Sequence, residues 1–153
     1  MSFTYEFERP AVTVDALILR HKSGAGLPAT LYSGTQVLLI KRKSDPYKGM
    51  WAFPGGFVDK SEDPVHACRR EVKEETSIEL PGVVKLFTAK GDEGRDPRGW
   101  TISLAYYTAV PYDTVAKAND DAIEIEWFDI MSLPSMAFDH RAVFVRFLAH
   151  HPK

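Results

Sequence analysis

The stretch "GGFVDKSEDPVHACRREVKEETSIEL", residues 55–80, encodes a helix with an acidic face. Asp63 followed by Pro64 marks its start, because an aspartate N-cap accepts bonds from free amides and proline loses nothing at the first helical position. The helix is predicted from about Pro64 to Thr76. On a 3.6-residue period Val65, Cys68, Val72 and Thr76 line one stripe, which should face a sheet. Glu71, Glu74 and Glu75 lie on the adjoining face, three and four residues apart, where like charges repel weakly when solvated.

Strand signals flank this helix on both sides. "AVTVDALILR" (11–20) and "QVLLIKRK" (36–43) precede it, and "VVKLFTAK" (83–90), "WTISLAYYTAV" (100–110) and "AIEIEWFDI" (122–130) follow. Prolines and glycines in "SDPYKGMWAFPGGF" (44–57) predict irregular structure with a short extended piece. A last amphipathic helix begins near Asp139 as N-cap in "DHRAVFVRFLAHH" and places Val143, Phe144, Phe147 and Leu148 on one side. The runs 83–90 and 100–110 are too close for a parallel crossover, so the sheet is expected to be mixed, with helices packed on its faces. "HKSGAGLPATLYSGT" (21–35) reads as a solvated loop between the first two strands, either a mobile insertion or a functional segment.

A chain of 153 residues supports one domain, 1–153, with a real hydrophobic core. No apolar run approaches the ~20 residues that cross a bilayer, so no membrane segment is expected. The amino terminus lacks a basic segment followed by an apolar core, which makes the cytoplasm the expected compartment. Cys68 is the only cysteine, which excludes an internal disulfide, and its place on the apolar stripe predicts a buried structural role. A formal net charge of -2 gives no general attraction to nucleic acid. A phosphate-bearing partner must therefore be recognised locally, and a metal held by carboxylates is one means.

The three glutamates admit two readings. One is a solvated face, with Arg70 relieving Glu74 four residues on. The other is a cation site, where all-oxygen ligands favour Mg²⁺ or Mn²⁺ over zinc. Gly55-Gly56 just before the helix allow close backbone approach to a metal or phosphate, and Glu62 is placed to brace Arg70.

With these positions in view, the stretch resembles the Nudix hydrolase signature. Gly56, Glu62, Arg70, Glu71, Val72, Glu74, Glu75 and Ile78 match at the required spacings, and Ser77 alone departs, standing where the family has glycine. The resemblance implies an α/β/α sandwich with a mixed central sheet, an α+β form of the α/β class, and metal-assisted attack of water on a pyrophosphate. It assigns Glu71, Glu74, Glu75 and the Gly56 carbonyl to Mg²⁺ or Mn²⁺, and Arg70 with Glu62 to holding helix and loop together. Glu71 is one candidate base. A loop acid is the alternative, with Asp120 or Asp121 in "KANDDAIE" the likeness's best source.

Three more stretches, "YEFERPAVTVDALIL", "GRDPRGWTISLAYYTAV" and "SLPSMAFDHRAV", look like the branch of ADP-ribose pyrophosphatases and ADP-ribose-binding regulators. That likeness implies hydrolysis of ADP-ribose to AMP and ribose 5-phosphate, with a homodimer as a common assembly. Nucleoside triphosphate cleavage, including of oxidised forms, is the enzymatic alternative, and a non-catalytic ADP-ribose sensor is the alternative of another class. Arg95 and Arg98 suit a phosphate clamp or ribose contact, Trp100 base stacking, and Arg42 and His140 further substrate contacts, each against an ordinary structural role. Trp51 and Phe53 are further aromatics near the box, more in keeping with a core.

Overall fold

The computed structural model describes residues 2–24, 26–27, 31, 33–119 and 122–151. In chain order the elements are β1 (Ala11–His21), β2 (Thr35–Arg42), β3 (Trp51–Ala52), β4 (Gly55–Phe57), α1 (Pro64–Thr76), β5 (Lys85–Lys90), β6 (Thr101–Ala109), β7 (Ala122–Asp129) and α2 (His140–His150). The five apolar runs thus become the five long strands, and the proline- and glycine-rich stretch contributes two short ones. All seven join one mixed sheet, ordered β3-β2-β1-β6-β5, with β4 also on β1 and β7 also on β2. The β5–β6 pair is antiparallel, as the short connection requires, and β1–β6 is parallel.

β1 explains where a cleft can open. One of its edges is taken by β6 from Ala11 to Leu19. The other is divided: β2 pairs with Leu19–His21, whereas β4 pairs with Thr13–Asp15. The Ala16 N–H donates to the Pro54 carbonyl, so the segment ahead of β4 is wedged between β1 and β2. The sheet forks at this point.

Side chains alternate across β1 and β2, which builds a core on each face. Val14, Ala16, Ile18 and Leu38 pack with Ala67, Cys68 and Val72 of α1. Leu17, Leu19, Val37 and Leu39 pack with Val143, Phe144 and Phe147 of α2. The result is a helix–sheet–helix sandwich. Burial pushes the Cys68 thiol up to about 12, consistent with an inert packing group.

The predicted stripe of α1 faces the sheet: Cys68, Val72 and Thr76 are buried and Val65 packs partly covered against the same core, with Ala67 and Glu75 buried beside them. Asp63 caps α1 as expected, accepting from the Val65 N–H, but Asp139 makes no side-chain cap on α2. Its carboxylate is engaged by Arg95 instead. Of the 21–35 insertion, the ends are joined by the His21–Thr35 pairing and a Lys22 N–H bond to the Gly34 carbonyl. Residues 25, 28–30 and 32 lie outside the described residues. Among the described residues, no helix is long and apolar enough to cross a membrane.

Candidate active site

A cleft of about 370 Å³ opens at the fork, lined by residues of β1, β2, β4, α1, the 91–100 loop and the segment leading into α2. Its two walls are built differently.

The first wall is the acidic helix face and the loop before it. At Gly56 a β-carbon would come within 2.5 Å of the Glu71 carboxylate, so any side chain there would push that carboxylate aside. At Gly55 a β-carbon would run into the Val14 carbonyl, and the Gly55 N–H donates to Glu75 Oε2 at 3.3 Å. Glu75 is 6% exposed, whereas the Glu74 side chain is 46% exposed and sits outside the cleft lining.

Arg70 explains how the carboxylates coexist. Its guanidinium grips Glu62 with two bonds of 2.8 and 2.9 Å, donates to Glu71 at 2.8 Å and Glu74 at 3.2 Å, and reaches the Phe57 carbonyl at 3.1 Å. One planar cation therefore ties the loop to α1 and offsets three like charges. Its hydrogen bonds hold the Glu62 carboxyl down to about 2. Glu71 moves the other way: burial pushes its carboxyl above the usual range, against the pull of Arg70. Arg70 itself is held above its ordinary value, chiefly by Glu62.

Glu71, Glu74, Glu75 and the Gly56 carbonyl offer oxygen atoms of the hard type that small divalent cations prefer. Their rotamers are turned toward Arg70 and backbone amides. Among the described residues, no three His, Cys, Asp or Glu side chains converge on one point.

The second wall is assembled from distant parts of the chain. Asp15 of β1 accepts a bond from the Ser103 hydroxyl and lies 3.4 Å from His140 Nε2. The Phe53 N–H donates to His140 Nδ1 at 3.1 Å, which places the ring proton on Nε2, facing Asp15. Burial raises the Asp15 carboxyl, but His140 and Ser103 outweigh it and leave it below the ordinary range. Arg95 makes a bidentate pair with Asp139, at 3.0 and 2.7 Å, and its side chain is only 6% exposed. Arg98 pairs with Asp96, whose side chain is almost fully buried, and its guanidinium lies 4.6 Å from the Phe57 ring centre and 5.4 Å from that of Phe138.

The residues singled out from sequence are distributed as follows. Gly56, Glu71, Glu75, Arg42, Arg95, Arg98 and His140 all border the cleft, with Glu62 and Arg70 behind the first wall. Arg42 Nε donates to the Pro46 carbonyl at 2.7 Å, and its guanidinium is 5.0 Å from the Phe138 ring centre. Trp100 is 54% exposed and borders a shallow groove beside Arg9 that shares Phe57 and Arg98 with the cleft. Phe53 is 2% exposed and stacked on His140, and Trp51 packs edge-on against Phe128, so both belong to the core. Asp120 and Asp121 lie outside the described residues.

Asp15, Asp96 and Phe138 line the cleft although periodicity did not single them out, and Ser103 supports Asp15 from behind. For Asp15 a signal existed: a carboxylate interrupting the apolar run "AVTVDALILR". The others are made neighbours only by the fold.

Ser77 has a structural answer. It ends α1 in the left-handed region, φ 61°, where the signature's glycine would be at ease, and its N–H donates to the Lys73 carbonyl. Asn119 Nδ2 donates to the Ser77 hydroxyl, while the Lys117 and Asn119 N–H groups cap the Thr76 and Glu75 carbonyls. The serine exchanges some backbone ease for a tie to the 117–119 segment.

Comparison with known proteins agrees with this geometry. The NUDIX domain family matches residues 20–148. The ADP-ribose pyrophosphatase of Methanocaldococcus jannaschii is 41% identical over 134 residues, which cover 88% of this chain and 70% of that protein. Among solved structures, the NUDIX domain of Shewanella oneidensis NrtR complexed with ADP ribose has 26% identity and a TM-score of 0.75, covering 92% of this chain and 87% of that one. A bifunctional NMN adenylyltransferase/ADP ribose pyrophosphatase from Francisella tularensis, complexed with AMP and a manganese ion, has 29% identity and a TM-score of 0.72, over 95% of this chain but 43% of that one. With the matched family spanning most of its length and the acidic helix facing the cleft, this chain belongs to the Nudix family.

Proposed function

We propose that this chain hydrolyses the pyrophosphate bond of ADP-ribose to give AMP and ribose 5-phosphate, in a metal-dependent reaction. The observation that carries the reading is the opening of Glu71, Glu75 and Gly56 into one cleft, in a chain 41% identical to an ADP-ribose pyrophosphatase. Glu71, Glu74, Glu75 and the Gly56 carbonyl are the ligands for Mg²⁺ or Mn²⁺. Such an ion, when bound, supplies charge that offsets the pyrophosphate and acidity for the attacking water.

The chain's own residues do the rest. Arg70 and Glu62 hold the 57–62 loop against α1, so the Gly56 carbonyl and the glutamates keep one geometry. Glu71, which borders the cleft, is the candidate base, with Asp121 as the loop alternative. Arg98 and Arg42, beside the aromatic rings of the cleft, contact phosphate and base, and Trp100 extends this surface outward. Arg95 and His140 act from behind, holding Asp139 and Asp15. A single domain over 1–153, a cytoplasmic setting and a homodimer complete the reading, with a small-molecule nucleotide as the partner and neither nucleic acid nor membrane.

A second reading is favoured by one observation: Arg70 occupies Glu71 and Glu74, and the carboxylates do not converge. A chain that kept this arrangement would bind ADP-ribose without cleaving it. Incubation with Mg²⁺ and either ADP-ribose or a nucleoside triphosphate panel, with products identified, separates the cases. AMP with ribose 5-phosphate supports hydrolysis. Binding without turnover supports the sensor, and monophosphate plus pyrophosphate from triphosphates alone overturns the ADP-ribose assignment.

A further inference from the structure

On the face of β1 that packs against α2, Leu19 and Leu17 are fully buried, and the next residue on that face is Asp15. A carboxylate in that position loses hydration and is retained only where partners compensate it. Ser103 and His140 do so from one side. A carboxylate offers about four lone-pair sites, so two partners leave acceptor capacity. The Asp15 side chain is 15% exposed, and that exposure is to the cleft, where Thr13 lies beside it on the same face.

Gly55 keeps the approach open. It is the register partner of Asp15, and a β-carbon there would lie 2.9 Å from Asp15 Oδ1. The same glycine donates its N–H to Glu75. Asp15 is therefore next to the acidic end of the cleft and apart from its exposed aromatic rim at Phe57. A buried group that only accepts hydrogen bonds favours a hydroxyl and repels a phosphate oxygen.

We propose that Asp15 is a specificity residue, its carboxylate accepting a hydrogen bond from a hydroxyl of the terminal sugar and so selecting a sugar-terminated diphosphate over one ending in phosphate. This rests on the ADP-ribose reading and deepens it. Ser103 and His140 are positioning residues for that carboxylate.

The test is binding by calorimetry in EDTA, where no metal-dependent turnover competes, with ADP-ribose and ADP as probes, on the wild type and Asp15→Asn. Loss of a charge-assisted bond should weaken ADP-ribose by roughly 10- to 100-fold. The ADP affinity should stay within about threefold or tighten, since the asparagine removes a repelling charge. Equal weakening of both probes, or no change in either, overturns the proposal. If Asp15→Asn does not fold, Ser103→Ala keeps the carboxylate and frees its rotamer. It should weaken ADP-ribose about twofold to fivefold and spare ADP, and an equal effect on both overturns the proposal in the same way. Wild-type turnover of ADP-ribose with Mg²⁺, measured in parallel, keeps the two claims apart. Absent turnover with selective binding loss breaks the hydrolase reading alone, and turnover with unselective loss breaks the Asp15 assignment alone.

Discussion

The wall made by α1 and the wall made around Asp15 meet in one cleft, yet their charges are organised in opposite ways. The first takes Gly56, Glu62, Arg70, Glu71 and Glu75 from one continuous stretch and neutralises it with a single arginine at the centre. The second draws Asp15, Arg95, Asp96, Arg98, Ser103 and His140 from two strands, a loop and a helix start, and holds them in separate contacts: Arg95 with Asp139, Arg98 with Asp96, and Asp15 with Ser103 and His140. A central cation shared by several carboxylates can be exchanged for another cation. Separate buried pairs are fixed. The contrast suggests that the first wall is built to change partner and the second to hold shape.

Substitutions can break this contrast, and the largest effect should come from the first wall's chemistry. Glu75→Gln should lower Mg²⁺-dependent turnover by about 100-fold or more, the scale of losing one charge-stabilising group, with Tm changed little because the amide oxygen still accepts from Gly55. Near-normal turnover in that variant would remove Glu75 from the metal set. For stability the order reverses. Arg95→Ala leaves the partly buried Asp139 without its partner and should cost about 3 kcal/mol in urea unfolding. Arg70→Ala, at a site whose side chain is 27% exposed, should cost about 2 kcal/mol. A larger loss from Arg70→Ala than from Arg95→Ala would contradict the division into exchangeable and fixed walls.

Smaller effects probe the helix exit and the pH response. Ser77→Ala keeps the left-handed strain and loses the Asn119 bond, whereas Ser77→Gly loses the bond but relieves the strain. The alanine variant should be less stable than the glycine variant by about 1 kcal/mol. Glu62 is held at about 2 in the folded chain against an ordinary 4.5, so its contribution is complete above about 4.5 and is lost as pH falls toward 2. Tm measured across that window should fall less steeply in Glu62→Gln than in the wild type. Glu71, raised by burial, works in the opposite sense, its charged form costing stability as pH rises through the folded value.

The first wall was legible in sequence because it is local. Helical spacing puts Arg70 beside Glu74, and the run from Asp63 to Ser77 contains its own cap, stripe and stop. The strands were legible for the same reason, each being a short apolar run between breakers. The second wall was visible only as residue types. Nothing in "GRDPRGW" shows that Arg95 pairs with Asp139 while Arg98 pairs with Asp96, since the first bond spans 44 residues and depends on α2 reaching the loop. Asp139 illustrates the competition: it has the side chain of an N-cap, but a buried guanidinium is a stronger partner than a helix amide. Glu75 turned inward because the Gly55 amide, unpaired in any sequence reading, meets it there.

The proposed role of the acidic wall is to make this cleft a hydrolase of ADP-ribose. The most direct measurement is AMP formed from ADP-ribose by the wild-type protein in Mg²⁺, with and without EDTA. Stoichiometric AMP and ribose 5-phosphate are expected in Mg²⁺ and none when the metal is chelated. ADP-ribose left intact in Mg²⁺, under conditions where calorimetry shows it bound, would contradict that role.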